Sequence, residues 1–140
     1  MPKTMSQLAI VQFFSWFALF SLWIYATPAL TRHLYGTSDT LSATYNEGAN
    51  WIGGMMGYYN LFAAFFGLVV LPWLAKMTNR KITHIIALTI GGLSLISLYF
   101  LTDPGQMIYS MIGIGLAWAS ILAMPYAILT GSLPQSKMGV

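Results

Sequence analysis

The sequence predicts an all-α, polytopic membrane protein with four transmembrane helices, and three observations predict it. Residues 4–31, 48–75, 82–102 and 104–136 contain no Asp, Glu, Lys or Arg. Each run supplies the roughly 20 apolar residues a helix needs to cross the hydrocarbon core of a bilayer. Charged residues make up 6% of the chain and hydrophobic ones 57%, with mean hydropathy +0.69; an ordinary soluble domain carries about 25% charge. The few charges also partition by side, as the loops show. A soluble globule is disfavoured, because four such runs leave too little polar surface to coat one.

The first helix is expected over residues 7–30, with Pro28 near its end, and the second over residues 51–74. The third spans residues 83–101 and the fourth residues 106–132. The connections then alternate sides. One side receives Lys3, then Lys76, Arg80 and Lys81, then Lys137: five cations and no anion. The other receives Arg32, Asp39, Glu47 and Asp103: one cation and three anions. Excess Lys and Arg in short loops marks the cytoplasmic face, so both termini are expected inside. Asp103-Pro104-Gly105 reads as a tight turn, since Pro fixes φ and Gly supplies permissive geometry. The connection over residues 32–50 is the longest loop and has room for a short surface helix. Trp51, Trp73, Tyr35, Tyr45 and Tyr99 fall near the expected interfaces, where amphipathic rings favour the headgroup zone. The first run is too long and too aromatic for a signal-peptide core and is read as retained.

Several function classes are excluded or left without support. Net charge is +3, but the cations stand singly rather than in the patch or stripe that nucleic acid requires. The absence of cysteine removes disulfides, Cys-ligated zinc and thiol catalysis. No nucleophile–base pair, metal cluster or phosphate-cradling loop is visible, so an enzyme, a cofactor or a metal is not expected. No span contains an acidic residue; His84, at the basic edge of the third helix, reads as interfacial. A complete proton relay, which uses an intramembrane Asp, Glu or His, is not visible.

The helix interiors are more informative. Gly53 and Gly57 on the second helix form a small-xxx-small pair that would let another helix approach closely, and Asn60 follows on much the same face. Asn60 would either hydrogen-bond a neighbouring helix or face a solute pathway. Seven aromatics crowd residues 13–25 of the first helix. Gln12, Trp16, Leu19 and Trp23, spaced four, three and four apart, share one helical face. An amide flanked by indoles suits a sugar, whose C–H faces stack on rings and whose hydroxyls bond polar groups. Pro125 interrupts the fourth helix, removes a backbone donor and predicts a kink. Ala26-Thr27-Pro28 echoes Ala123-Met124-Pro125, as two inverted repeats starting at the first and fourth helices would.

The segment Leu71-Pro72-Trp73-Leu74-Ala75-Lys76-Met77-Thr78-Asn79-Arg80-Lys81 resembles the loop signature of the major facilitator superfamily, G-x-L-A-D-R-x-G-R-R/K. Leu74-Ala75 and Arg80-Lys81 match; Lys76, Asn79 and Leu71 stand where the family has Asp, Gly and Gly. Two longer stretches, residues 12–20 and 113–127, resemble bacterial sugar transporters akin to solute carrier family 45 and plant sucrose carriers. Their tryptophan-rich first helix and their G-x-x-W-A…P-Y-A helix recur here. The resemblance implies a partial major facilitator domain over residues 1–140, corresponding to helices seven to ten, with the remaining transporter helices absent from this chain. It implies sugar (glycoside)–proton symport by alternating access in a bacterial inner membrane. Sugar contacts would fall on Gln12, Trp16, Asn60 and Tyr126, with Arg80 and Lys81 forming a conformational latch. Two other classes remain open: a complete four-helix exporter working as a dimer, or a non-transporting assembly subunit. The exporters resembling this chain in helix number carry a carboxylate in their first helix, and none stands here.

Overall fold

The computed structural model describes residues 3–132; Lys137 lies outside them. Their regular elements are all helical, without a strand among the described residues, and four helical rods are long and apolar enough to cross a membrane. The protein is an integral membrane protein of the all-α class.

Helix α1 runs Lys3–Tyr35, extending beyond the expected residues 7–30 at both ends and passing Pro28 uninterrupted. A proline costs one backbone bond and a local clash, and the packing of this segment outweighs that cost. Leu30 and Thr31 beyond the proline are buried. Thr31 folds its hydroxyl back onto the Thr27 carbonyl, and Arg32 and His33 complement the negative end of the helix dipole. Gly36 then takes φ +69°, the left-handed geometry that ends a helix and favours glycine.

Helix α2, Ala43–Phe65, starts eight residues earlier than expected, so the long loop shrinks to residues 36–42. The reason is local capping. Ser42 Oγ accepts from Tyr45 N at 3.1 Å, and Asp39 Oδ1 accepts from Leu41 N at 3.0 Å, satisfying donors that a helix start leaves open. Gly48, within the added turns, lies where any side chain would collide with Thr31 and Tyr35 of α1. A π turn, Phe66–Val70, follows, in which Leu71 N reaches back to Phe66 O. It leads into α3, Leu71–Met77. Widening the turn accommodates Pro72, which has no N–H to give and would crowd a regular turn. α2, the π turn and α3 form one rod, Ala43–Met77.

Asn79 caps α4, Arg80–Ser97, with Oδ1 accepting from Ile82 N at 3.0 Å. Asp103 Oδ1 accepts from Gly105 N at 2.7 Å to make the tight turn into α5, Met107–Thr130. α5 is the centre of the bundle. Its most apolar stretch is 61% buried, against 11% for α1 and for the α2–α3 rod. α4 and α2 lie along α5, and α1 packs on α2 and on α5.

Small residues set these approaches. A Cβ on Gly115 would stand 2.7 Å from the Tyr59 carbonyl oxygen, and one on Gly91 or Gly113 would strike Ala117 or Ser94 across the α4–α5 seam. The expected packing pair is placed differently. Gly53 and Gly57 are exposed, with no atom of this chain within 4 Å of a Cβ built on them. They pack no helix here, because α2 turns Ile52, Met55, Tyr59 and Ala63 inward and the glycines fall on the opposite face.

Candidate functional site

The face of α1 carrying Gln12, Trp16, Leu19 and Trp23 meets α5 and α2. Leu19 is buried. Trp16 and Trp23 both pack edge-to-face on Trp118 of α5, at centroid distances of 5.6 and 5.4 Å and interplanar angles of 88° and 90°. They also lie 6.3 Å from each other. Edge-to-face pairs place the positive ring edge on the negative ring face. Trp23 Nε1 donates to Tyr59 Oη of α2 at 2.9 Å. Three indoles and a phenol thus join three helices.

Gln12 sits one turn before Trp16 and reaches the carbonyl that Pro125 leaves without a donor in α5. Pro125 has no N–H, so the Ile121 carbonyl four residues earlier loses its helical donor. Gln12 Nε2 donates to that oxygen at 3.3 Å. α5 continues through the buried Pro125 as regular helix, the orphaned carbonyl being served from a neighbouring helix, as proline-interrupted membrane helices require. Gln12 Oε1, on the same amide, is buried and has no partner. It is an acceptor shielded from water beside the tryptophan cluster.

The other expected site residues lie elsewhere. Asn60 is exposed and donates through Nδ2 to Met56 O of its own helix at 2.8 Å. It bonds no neighbouring helix, because it follows the inward Tyr59 onto the outer face. Tyr126 is 70% exposed, turned outward next to the buried Pro125. A cavity of about 700 Å³ opens between the far half of α1 and the end of α4, where Tyr25, Arg32, His33 and Tyr99 line it. None of Gln12, Trp16, Asn60 and Tyr126 does.

At the basic end, Arg80 Nη1 donates to Ala127 O at 2.6 Å. It ties the start of α4 to the last turn of α5, where helix carbonyls lack donors. Lys81 beside it is exposed. His84, one turn into α4, is packed inside the bundle: it is 4% exposed, with Nδ1 2.8 Å from Ser120 Oγ of α5 and Nε2 buried without a partner. The sequence could not reveal this, because its partner lies 36 residues away. Trp118 and Tyr59 were also missed as members of the cluster. The spacing of Trp118 from Pro125 (seven residues, two turns) places both on one face of α5 and was the available signal. Among the described residues, no group of three or more His, Asp and Glu side chains could hold a metal.

No protein-family model matches the chain, and no curated protein or solved structure matches it either.

Proposed function

We propose that this chain is part of a secondary active transporter that moves a sugar or glycoside, in symport with a proton, by rocking around a site near the membrane midplane. One observation carries the reading: Gln12 Oε1 is a buried, unmatched acceptor one helical turn before Trp16, whose ring packs on Trp118. A buried acceptor without a donor costs about 1–3 kcal/mol, and a solute hydroxyl would relieve that cost. Adjacent indoles offer the apolar surface that stacks on a sugar ring.

The tie from Gln12 to the carbonyl opposite Pro125 supports the mechanism. A solute hydroxyl engaging this amide competes with Ile121 O for its orientation, so binding and the geometry of α5 become linked. Arg80, holding Ala127 O, is the matching tie at the basic end, and Lys81 borders it. Both termini and this end face the cytoplasm of a bacterial inner membrane. The coupling carboxylate belongs to the remaining transporter helices, and these cover the outward Phe13, Phe14 and Phe17 of α1, 64–66% exposed.

The test is uptake of labelled maltose or sucrose by the full-length protein. Trp16→Ala is expected to cut uptake at least tenfold, and Asn60→Ala, on an outer face that the remaining helices would cover, less. Unchanged transport in both variants refutes the assigned residues. A second reading, assembly through the α2 face, rests on the exposed Gly53, Gly54 and Gly57. That smooth face accepts a helix of the missing transporter portion, or of a second copy in a dimeric exporter or assembly subunit.

A further inference from the structure

A second place on this protein has a buried polar atom with nothing to bond, and it lies far from the tryptophan cluster in chemistry. Between the first turns of α1, the start of α4 and the end of α5 is a cavity of about 260 Å³. Leu8, Val11, Ile85 and Ile128 make its walls apolar, and Lys81, Gln7 and Thr4 stand at its polar rim together with His84. The His84 ring lines this cavity, while its Nδ1 is turned onto Ser120, which is no part of the lining. The Ser120 hydroxyl can donate to Nδ1, and in that arrangement a neutral imidazole carries its own proton on Nε2. Nε2 is buried and unmatched.

Among the described residues, side-chain charge at this end has one sign. Lys3 begins α1, Lys76 closes α3, and Arg80 and Lys81 begin α4. Arg80 is engaged with Ala127 O. Asp39 and Asp103, in the connections, and Glu47, near the start of α2, sit at the other end, where His33 meets Leu101 O and Trp51 meets Pro104 O. A cavity with apolar walls, a cationic rim and an unmatched donor is complementary to an amphiphile with an anionic head.

We propose that this cavity binds an anionic phospholipid of the adjacent leaflet. Its phosphate accepts a hydrogen bond from Nε2–H of His84 and pairs with the ammonium of Lys81, and the start of its acyl chain lies along Val11 and Ile85. Basic pockets between helices on one membrane face recognise lipid headgroups in this way. The apolar walls select a lipid over a free phosphate, since most of the lining has nothing to offer a hydrated anion. This site is independent of transport, and its test uses none.

The purified chain in detergent is titrated with phosphatidylglycerol and with phosphatidylcholine of the same acyl chains, and retained lipid is counted by native mass spectrometry. The expected result is one retained phosphatidylglycerol, bound at least fivefold more tightly than phosphatidylcholine. A surface lysine is worth about a factor of five to an anionic headgroup, so Lys81→Gln should remove about that much and leave phosphatidylcholine unchanged. Ile85→Trp, at an exposed position, should block both lipids. His84→Phe should weaken phosphatidylglycerol about tenfold, and Ser120→Ala, which breaks the same His–Ser bond but keeps Nε2, should not. Equal retention of the two lipids by the wild type overturns the proposal. So does an unchanged preference in both Lys81→Gln and His84→Phe, or Ser120→Ala matching His84→Phe. Displacement of the lipid by millimolar glycerol phosphate would show a headgroup-only anion site and refute the lipid.

Discussion

Replacing Gln12 tests whether a side chain of α1 stands in for the N–H that Pro125 lacks. The single substitution Gln12→Leu is a poor probe by itself. It deletes the bond to Ile121 O, but it also deletes Oε1, a buried acceptor with no partner. The lost bond destabilises and the lost orphan stabilises, each by roughly 1 kcal/mol, so the net change is small. The informative quantity is the coupling between Gln12 and Pro125. In a Pro125→Ala background the helix regains an N–H for Ile121 O, and the amide of Gln12 becomes redundant. Gln12→Leu should then be less costly by the worth of one interhelical bond. At 3.3 Å this bond is long for N–H···O, and interhelical hydrogen bonds in membranes average about 0.6 kcal/mol. A coupling of about 0.6–1 kcal/mol is therefore expected. The four proteins of the cycle are unfolded reversibly with sodium dodecyl sulfate in mixed micelles and followed by tryptophan fluorescence. Trp16, Trp23 and Trp118 make that signal sensitive to the α1–α5 contact. Any cavity left by removing the proline ring cancels around the cycle. Independent sites add within about 0.3–0.5 kcal/mol, so a coupling of 0.3 kcal/mol or less refutes the compensation.

Three further outcomes concern other parts of the bundle. Gly115→Ala places a methyl 2.7 Å from the Tyr59 carbonyl oxygen and should cost about 1–3 kcal/mol in the same unfolding assay. Gly53→Ala, with open space around it, should change stability by less than about 0.5 kcal/mol in the isolated chain; the reverse order would show that α2 is rotated. Reporter fusions at Arg80 and at Asp103 should report opposite compartments, with Arg80 cytoplasmic. One shared compartment would end the four-span topology.

The spans were legible because charge is so costly in hydrocarbon that its absence over 21 or more residues has few other meanings. Turn chemistry was legible at Asp103-Pro104-Gly105, where the needed side chain and backbone freedom are adjacent in sequence. The start of α2 was not, since Tyr45, Asn46 and Glu47 read as loop by polarity, and the cap that makes them helical is the single oxygen of Ser42. Which glycines pack was also hidden. Lipid tails are as apolar as leucine, so a buried face and a lipid face look alike and helical periodicity loses its usual meaning. The α1 face of Gln12, Trp16, Leu19 and Trp23 was visible because it differs from its surroundings in kind, carrying an amide and two indoles. Its partners were not, because Ile121 stands 109 residues away and Tyr59 36.

The position of α5 bears on how the bundle is made. Biosynthesis runs from α1 onward, yet the helix against which α1, α2 and α4 all lie is produced after them. Until it enters the bilayer, α1 and α2 have only each other, through the collar of Gly48 against Thr31 and Tyr35 and the bond from Trp23 to Tyr59. Their indole and amide groups must wait in lipid or on the insertion machinery. Assembly of these four spans is thereby set by the fourth, and a ribosome stalled before residue 107 would leave three inserted rods without the helix on which they converge.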